Sequence, residues 1–207
     1  MRKIRTIKDK QIVFCEDSKS LKIYLQELWK IYKDFHKNTD FMIENPPTNG
    51  DYVEIINSSI NKIKQLEKEQ KIKFKKKYLI VDIDKSRENK TQEDKFQKMV
   101  KIAKENNINL KYCDPNFELY LLLHFENCCL QDLKKINEKL IKYINKEYSK
   151  SINAIDKVKK ESSIFKQICL NKEKITQAIK YSKYNENYKD NKTNLQDIIK
   201  IFINYKE

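Results

Sequence analysis

The sequence predicts an α/β fold: a mostly parallel sheet flanked by helices, with a helical C-terminal half packed on it. Three observations carry this. Short apolar runs alternate with helix-periodic segments as far as residue 113. The run "YLIV" (78–81) is apolar without alternation, as expected when helices cover both faces of a parallel sheet. From residue 116 onward only helical patterns remain.

"QIVFC" (11–15) reads as the first strand, followed by an amphipathic helix in "SLKIYLQELWKIYKDF" with Leu21, Tyr24, Leu25 and Leu28 at helical spacing. "DFMIEN" (40–45) reads as a second strand. "PPTNG" then breaks the chain before a helix around 51–70, whose stripe is Val53, Ile56, Ile60 and Ile63. "KKYLIVDID" is the third strand, "QEDKFQKMVKIAKENN" the third helix with an Asn pair as its stop signal, and "INLKYC" (108–113) the fourth strand.

In "DPNFELYLLLHF", Asp114 reads as N-cap and Pro115 as the first residue of a helix that is apolar almost all round, hence buried. "DLKKINEKLIKYINKEY" sets Leu133, Ile136, Leu140 and Ile144 on one face and lysines on the other. The last helix begins near "KTNLQDIIKIF", where Thr193 and Gln196 fit a capping box. The expected division is a core over residues 1–125 and a helical extension of the same domain over 126–207.

The chain has 207 residues and a formal net charge of +14, which invites a nucleic-acid partner because Lys and Arg release counterions from phosphates. Lysine is spread throughout, however, and a uniform excess makes a solvated surface as readily as a groove. The basic N-terminus leads into no signal-length apolar run and no stretch is long enough to span a bilayer, so a cytoplasmic protein without a membrane partner is expected. Five cysteines, none in a CxxC pair, argue against a disulfide framework, and the neighbours Cys128 and Cys129 suit two small core hydrophobes better than a redox-active pair. The lone glycine, Gly50, excludes a P-loop or dinucleotide fingerprint, so any NTPase activity has to come from a partner ATPase.

Acidic residues stand where strands end. Asp82 and Asp84 fall on one side of the third strand, because side chains alternate and Ile83 points away. Two such carboxylates repel by up to ~4 kcal/mol at about 4 Å and an effective dielectric near 20, so a cation should sit between them. Lys85 or Arg87 could supply it as a strand-end ion pair. Glu16, with Asp17, follows the first strand at the end of the sheet where open α/β folds bind ligands, although an acid there also suits the N-terminus of the next helix. Glu118 lies early in the buried helix and needs a cation, hydrogen bonds or a proton. His124, in the same apolar run, suits a ligand or a general base, although a histidine so placed is more often a satisfied structural residue.

The acid after strand one ("IVFCED"), the DxD after a later strand ("LIVDID") and "DPNFELYLLLHF" together resemble the RloB-like family, Toprim-fold proteins associated with bacterial restriction and anti-phage loci. The resemblance runs from about Ile12 to the C-terminus, and the helix signature is its most specific part. It implies a Toprim metal site with Glu16 as acid/base and Asp82 and Asp84 holding Mg²⁺, with Mn²⁺ as the alternative ion. The family usually reads Cys-Glu-Gly-Glu where this chain has Cys15-Glu16-Asp17-Ser18, and Asn-Pro where it has Asp114-Pro115.

The expected activity is metal-dependent phosphodiester cleavage of RNA or DNA, with Asp82 and Asp84 as ligands, Glu16 as ligand or general base, and Lys85 and Arg87 steadying the phosphate. A two-metal form would add Asp114 or Glu118. The rival is a nucleic-acid-binding or complex-forming defence subunit without its own catalysis, using the tyrosines interleaved with lysines in "KYSKYNENYKDNK" (180–192). Nucleotidyl transfer is a third reading. Phe165, Ile168, Ile175 and Ile179 suit a homodimer face as well as a core.

Overall fold

The computed structural model describes residues 8–17, 19–83, 89–130, 132–185 and 194–205, with backbone alone at 184 and 185. The strands are β1 (Asp9–Cys15), β2 (Thr39–Glu44), β3 (Lys76–Asp82) and β4 (Asn109–Cys113), and they form one sheet in the order β2-β1-β3-β4. All pairings are parallel. After β1 the chain moves outward to β2, then returns to the opposite side of β1 for β3 and β4, so the direction of winding reverses between β1 and β3.

Residue alternation divides the apolar strands between two cores. Val13, Cys15, Tyr78, Ile80 and Cys113 face α1 (Ser20–Tyr32) and the C-terminal helices. Ile12, Phe14, Leu79 and Val81 face α2 (Tyr52–Glu69) and α3 (Lys90–Glu105). Because both faces are covered at the centre of the sheet, the runs Ile12–Cys15 of β1 and Tyr78–Val81 of β3 carry no polar stripe.

The second half folds as α4 (Phe117–Leu122), α5 (Leu133–Tyr148), α6 (Ile155–Lys160), α7 (Ser162–Leu170), α8 (Lys172–Asn185) and α9 (Gln196–Phe202). The first core runs without a break from Val13 to Ile203, joining α1, the sheet and these helices. Phe165, Ile168, Ile175 and Ile179 are buried in it and belong to the core of the single chain. Asn194 meets the outer edge of β4: its side-chain oxygen accepts from Tyr112 N–H at 2.7 Å, and its own N–H donates to the Tyr112 carbonyl at 3.2 Å.

Several local expectations are corrected. Asp114 does not cap α4. Asn116 does, accepting from Leu119 N–H at 3.3 Å, while Asp114–Pro115 is a cis peptide upstream of the helix. Gln196 opens α9 at its first position, two residues too early for the reciprocal bond of a capping box, and Thr193 lies outside the described residues. Leu133 is exposed, leaving Ile136, Leu140 and Ile144 as the buried stripe of α5. The buried face of α2 is Tyr52, Ile55, Ile56, Ser59, Ile63 and Leu66, rotated from the predicted one, so that Val53 and Ile60 sit at its margin.

Candidate functional site

The reversal between β1 and β3 opens a crevice at the carboxyl end of the sheet, the position where open α/β folds receive ligands. Main-chain pairing continues one residue past β1, with Glu16 N–H donating to the Ile80 carbonyl at 2.9 Å. The Glu16 side chain then turns over the end of β3, and its Oε2 accepts Asp82 N–H at 3.2 Å. Glu16 and Asp82 are thus brought together at the two central strands. The Asp82 carbonyl accepts from Tyr52 O–H at 3.0 Å, which ties the end of β3 to the start of α2, and Asp82 Oδ1 is buried.

The adjacent acid has a different task. Asp17 accepts from the main-chain N–H groups of Lys19 (2.8 Å), Ser20 (3.2 Å) and Leu21 (3.3 Å) and from the Ser20 hydroxyl. It therefore satisfies the orphan donors at the start of α1. The capping role that either acid suited falls to Asp17.

On one side of Glu16 is a cleft of about 190 Å³ lined by Glu16, Gly50, Asp51, Tyr52 and Gln92. Its wall is the N-terminus of α2, where Asp51 and Glu54 form a reciprocal capping box and Lys95 pairs with Asp51 at 2.9 Å. A Cβ on Gly50 would lie 1.8 Å from Glu54 Oε2, so any side chain there has to push Glu54 out of the box.

Glu118 in the first turn of α4 is buried, with Lys159 Nζ 2.8 Å from its Oε1. Burial pushes the Glu118 carboxyl up, against the pull of the Lys159 charge, and Asp17 adds to the rise. Burial works against the Lys159 ammonium, but Glu118, then Asp17 and Asp82, hold its pKa above the ordinary lysine value. The sequence showed that Glu118 needs a cation, hydrogen bonds or a proton, and gave no sign that Lys159, one among 44 basic residues, supplies the first of these. Asp114 is buried just past β4, next to the point where Ile83 N–H donates to the Cys113 carbonyl at 3.0 Å. Asp84, Lys85 and Arg87 lie outside the described residues.

Among the described residues, no group of three or more His, Cys, Asp or Glu side chains stands close enough to hold a metal. The Glu16 and Asp82 donors are all carboxylate oxygens, which fits a hard cation such as Mg²⁺, an ion commonly held by one or two carboxylates together with water and substrate phosphates. A family model described as RloB-like protein matches residues 11–202.

This chain belongs to the RloB-like family. The match spans both the sheet and the helical half. No curated protein and no solved structure matches it. Among its described residues, no helix is long and apolar enough to cross a membrane.

His124 of this RloB-like chain is buried away from the acids. Its Nδ1 lies 3.2 Å from the Tyr120 and Leu121 carbonyls, which only accept, so Nδ1 carries the proton and Nε2 accepts from Tyr24 O–H at 2.9 Å. Burial pushes the ring's pKa from 6.5 down to about 4. The unfolded chain therefore binds this proton first: the stability contributed by the neutral ring is full above about pH 6.5 and is lost as pH falls toward 4. The loss amounts to about 3 kcal/mol. In urea unfolding from neutral to acid pH, His124→Gln is expected to shrink the acid-dependent loss by up to that amount; an unchanged profile would overturn the assignment.

The cysteine pair departs from expectation. Cys128 is half-buried against the core with its thiol pushed up to about 12, mainly by burial, whereas Cys129 is exposed. Polar Asn127 and the lack of a helix or strand over 126–130 leave only one of the two thiols facing the core.

Proposed function

We propose that this RloB-like protein is a divalent-metal-dependent Toprim nuclease that hydrolyses RNA or DNA phosphodiesters in bacterial anti-phage defence. The observation that carries this reading is the Glu16 carboxylate resting on the Asp82 N–H at the reversal point of the sheet. The assignment of the helix cap to Asp17 supports it, because Glu16 then has no role as helix cap. Asp82 and Glu16, with Asp84 and Asp114, are the residues that would hold Mg²⁺ or Mn²⁺. When bound, the ion supplies positive charge to the phosphate and lowers the pKa of a coordinated water.

The protein's own residues do the remaining work. Glu16 takes the proton of the attacking water as general base. Tyr52 fixes the main chain that carries Asp82, so the carboxylate does not drift from Glu16. Lys85 contributes positive charge near the phosphate. A partner ATPase and a second copy of the chain are the partners this reading allows.

The test is a cleavage assay on tRNA, single-stranded RNA and plasmid DNA with Mg²⁺, Mn²⁺ or EDTA, running the Asp82→Asn, Asp84→Asn double variant as control. Cutting that needs the metal and disappears in the double variant is the expected result and names the substrate class. Binding without cutting would transfer the protein to the rival class of nucleic-acid-binding defence subunits.

A further inference from the structure

Lys159 reaches the site from the helical half. Its helix, α6, packs against α1 and α5, and its ammonium meets acids from three separate elements: Glu118 in α4 by direct contact, and the charges of Asp17 before α1 and Asp82 at the end of β3 at longer range. The two halves of the ion pair are unequally covered. The Glu118 side chain is 2% exposed and that of Lys159 27%. Glu118 is the sealed anchor and Lys159 the face open to solvent. An ammonium has three donors; among the described residues Glu118 engages one, which leaves the others for a ligand.

The local charge balance gives this arrangement a use. Glu16, Asp17, Asp82 and Glu118 surround the carboxyl end of β1 and β3 with negative charge, and a phosphodiester is itself an anion. A substrate of that class approaches only where fixed cations offset the acids. A carboxylate serving packing alone would be matched or bettered by an apolar residue of the same volume, since a buried ion pair is a weak stabiliser. Glu118 instead holds a long, flexible lysine at one point, within electrostatic reach of Asp17 and Asp82.

We propose that Lys159, anchored by Glu118, binds a non-bridging oxygen of the phosphodiester at the Glu16–Asp82 end of the sheet, so that the helical half completes the site. This rests on the nuclease reading for its substrate class. Lys159 stays charged throughout the neutral range, as its partners require. It transfers no proton. It offsets charge on the phosphate as water adds and the ester oxygen leaves.

The test compares wild type, Lys159→Met and the double variant Lys159→Met, Glu118→Leu, which replaces the pair by apolar side chains. Lys159→Met should lower the cleavage rate ~10²–10³-fold, as removal of one donor to a developing oxyanion does. For uncut oligonucleotide bound in Ca²⁺, it should reduce the slope of log affinity against log salt by about 0.7–0.9, the value of one phosphate contact. The double variant should regain the wild-type melting temperature and neither the rate nor the slope. Recovery of cleavage in the double variant, or a salt slope unchanged from wild type, overturns the proposal. Failure of the nuclease reading is distinct: wild type then binds without metal-dependent cutting, and the slope still reports on Lys159. A wild type that neither cuts nor binds overturns both.

Discussion

Glu16→Gln is expected to lower metal-dependent cleavage by ~10²–10⁴-fold, the range assigned to a positioned proton acceptor. The substitution isolates charge from shape. A glutamine keeps the side-chain oxygen that accepts Asp82 N–H, so the end of β3 stays in register and the melting temperature should hold. What disappears is the negative charge and the ability to take a proton from water near pH 7. The measurement is kcat/KM on whichever nucleic acid the wild type cuts, with Mg²⁺ in excess, beside a thermal melt. Activity within about threefold of wild type, with the fold retained, would remove Glu16 from the chemistry, since one pKa-scale interaction alone is worth tenfold.

Phe165→Ala is expected to cost ~3–5 kcal/mol, the usual range for removing a buried phenylalanine. Its ring is fully buried on α7 and stands edge-to-face against Tyr24 of α1, with centroids 6.5 Å apart. Tyr24 in turn contacts Phe117, Tyr120 and His124, so the cavity opens in the middle of an aromatic cluster joining the first helix to the helical half. For a domain of this size that free energy corresponds to a drop in melting temperature of roughly 6–20 °C. Denaturant unfolding at two protein concentrations checks it. A loss that depends on concentration would assign Phe165 to a subunit interface instead of the core.

Much of the fold was legible because apolar pattern and backbone period agree. "YLIV" lacks alternation because Tyr78 and Ile80 meet one core and Leu79 and Val81 the other. Helix starts were less legible, since several polar residues competed for one role. Asp114 and Asn116 each suit the cap of α4, and the chain takes its turn at Asp114–Pro115 before the helix begins. Glu16 and Asp17 posed the same ambiguity and differ only in which carboxylate reaches the N–H groups of α1.

The candidate site divides along similar lines. Glu16 and Asp82 were legible because each directly follows an apolar run, and parallel pairing of adjacent strands brings the ends of those runs together. Asp84 and Lys85 lie outside the described residues, so the DxD is represented by its first member. Lys159 was not legible. It pairs with Glu118 across 41 positions, and its neighbours Lys157 and Lys160, which share the same local pattern, are exposed.

The contact of Asn194 with Tyr112 affects how the chain is made. The two hydrogen bonds cover part of the outer edge of β4, which otherwise offers unpaired main-chain groups to any passing strand. Asn194 leaves the ribosome some eighty residues after β4. In that interval the nascent sheet has its core strands but an unguarded margin. Synthesis thus has a window, before Asn194 reaches Tyr112, in which neighbouring chains on one messenger can pair at that edge.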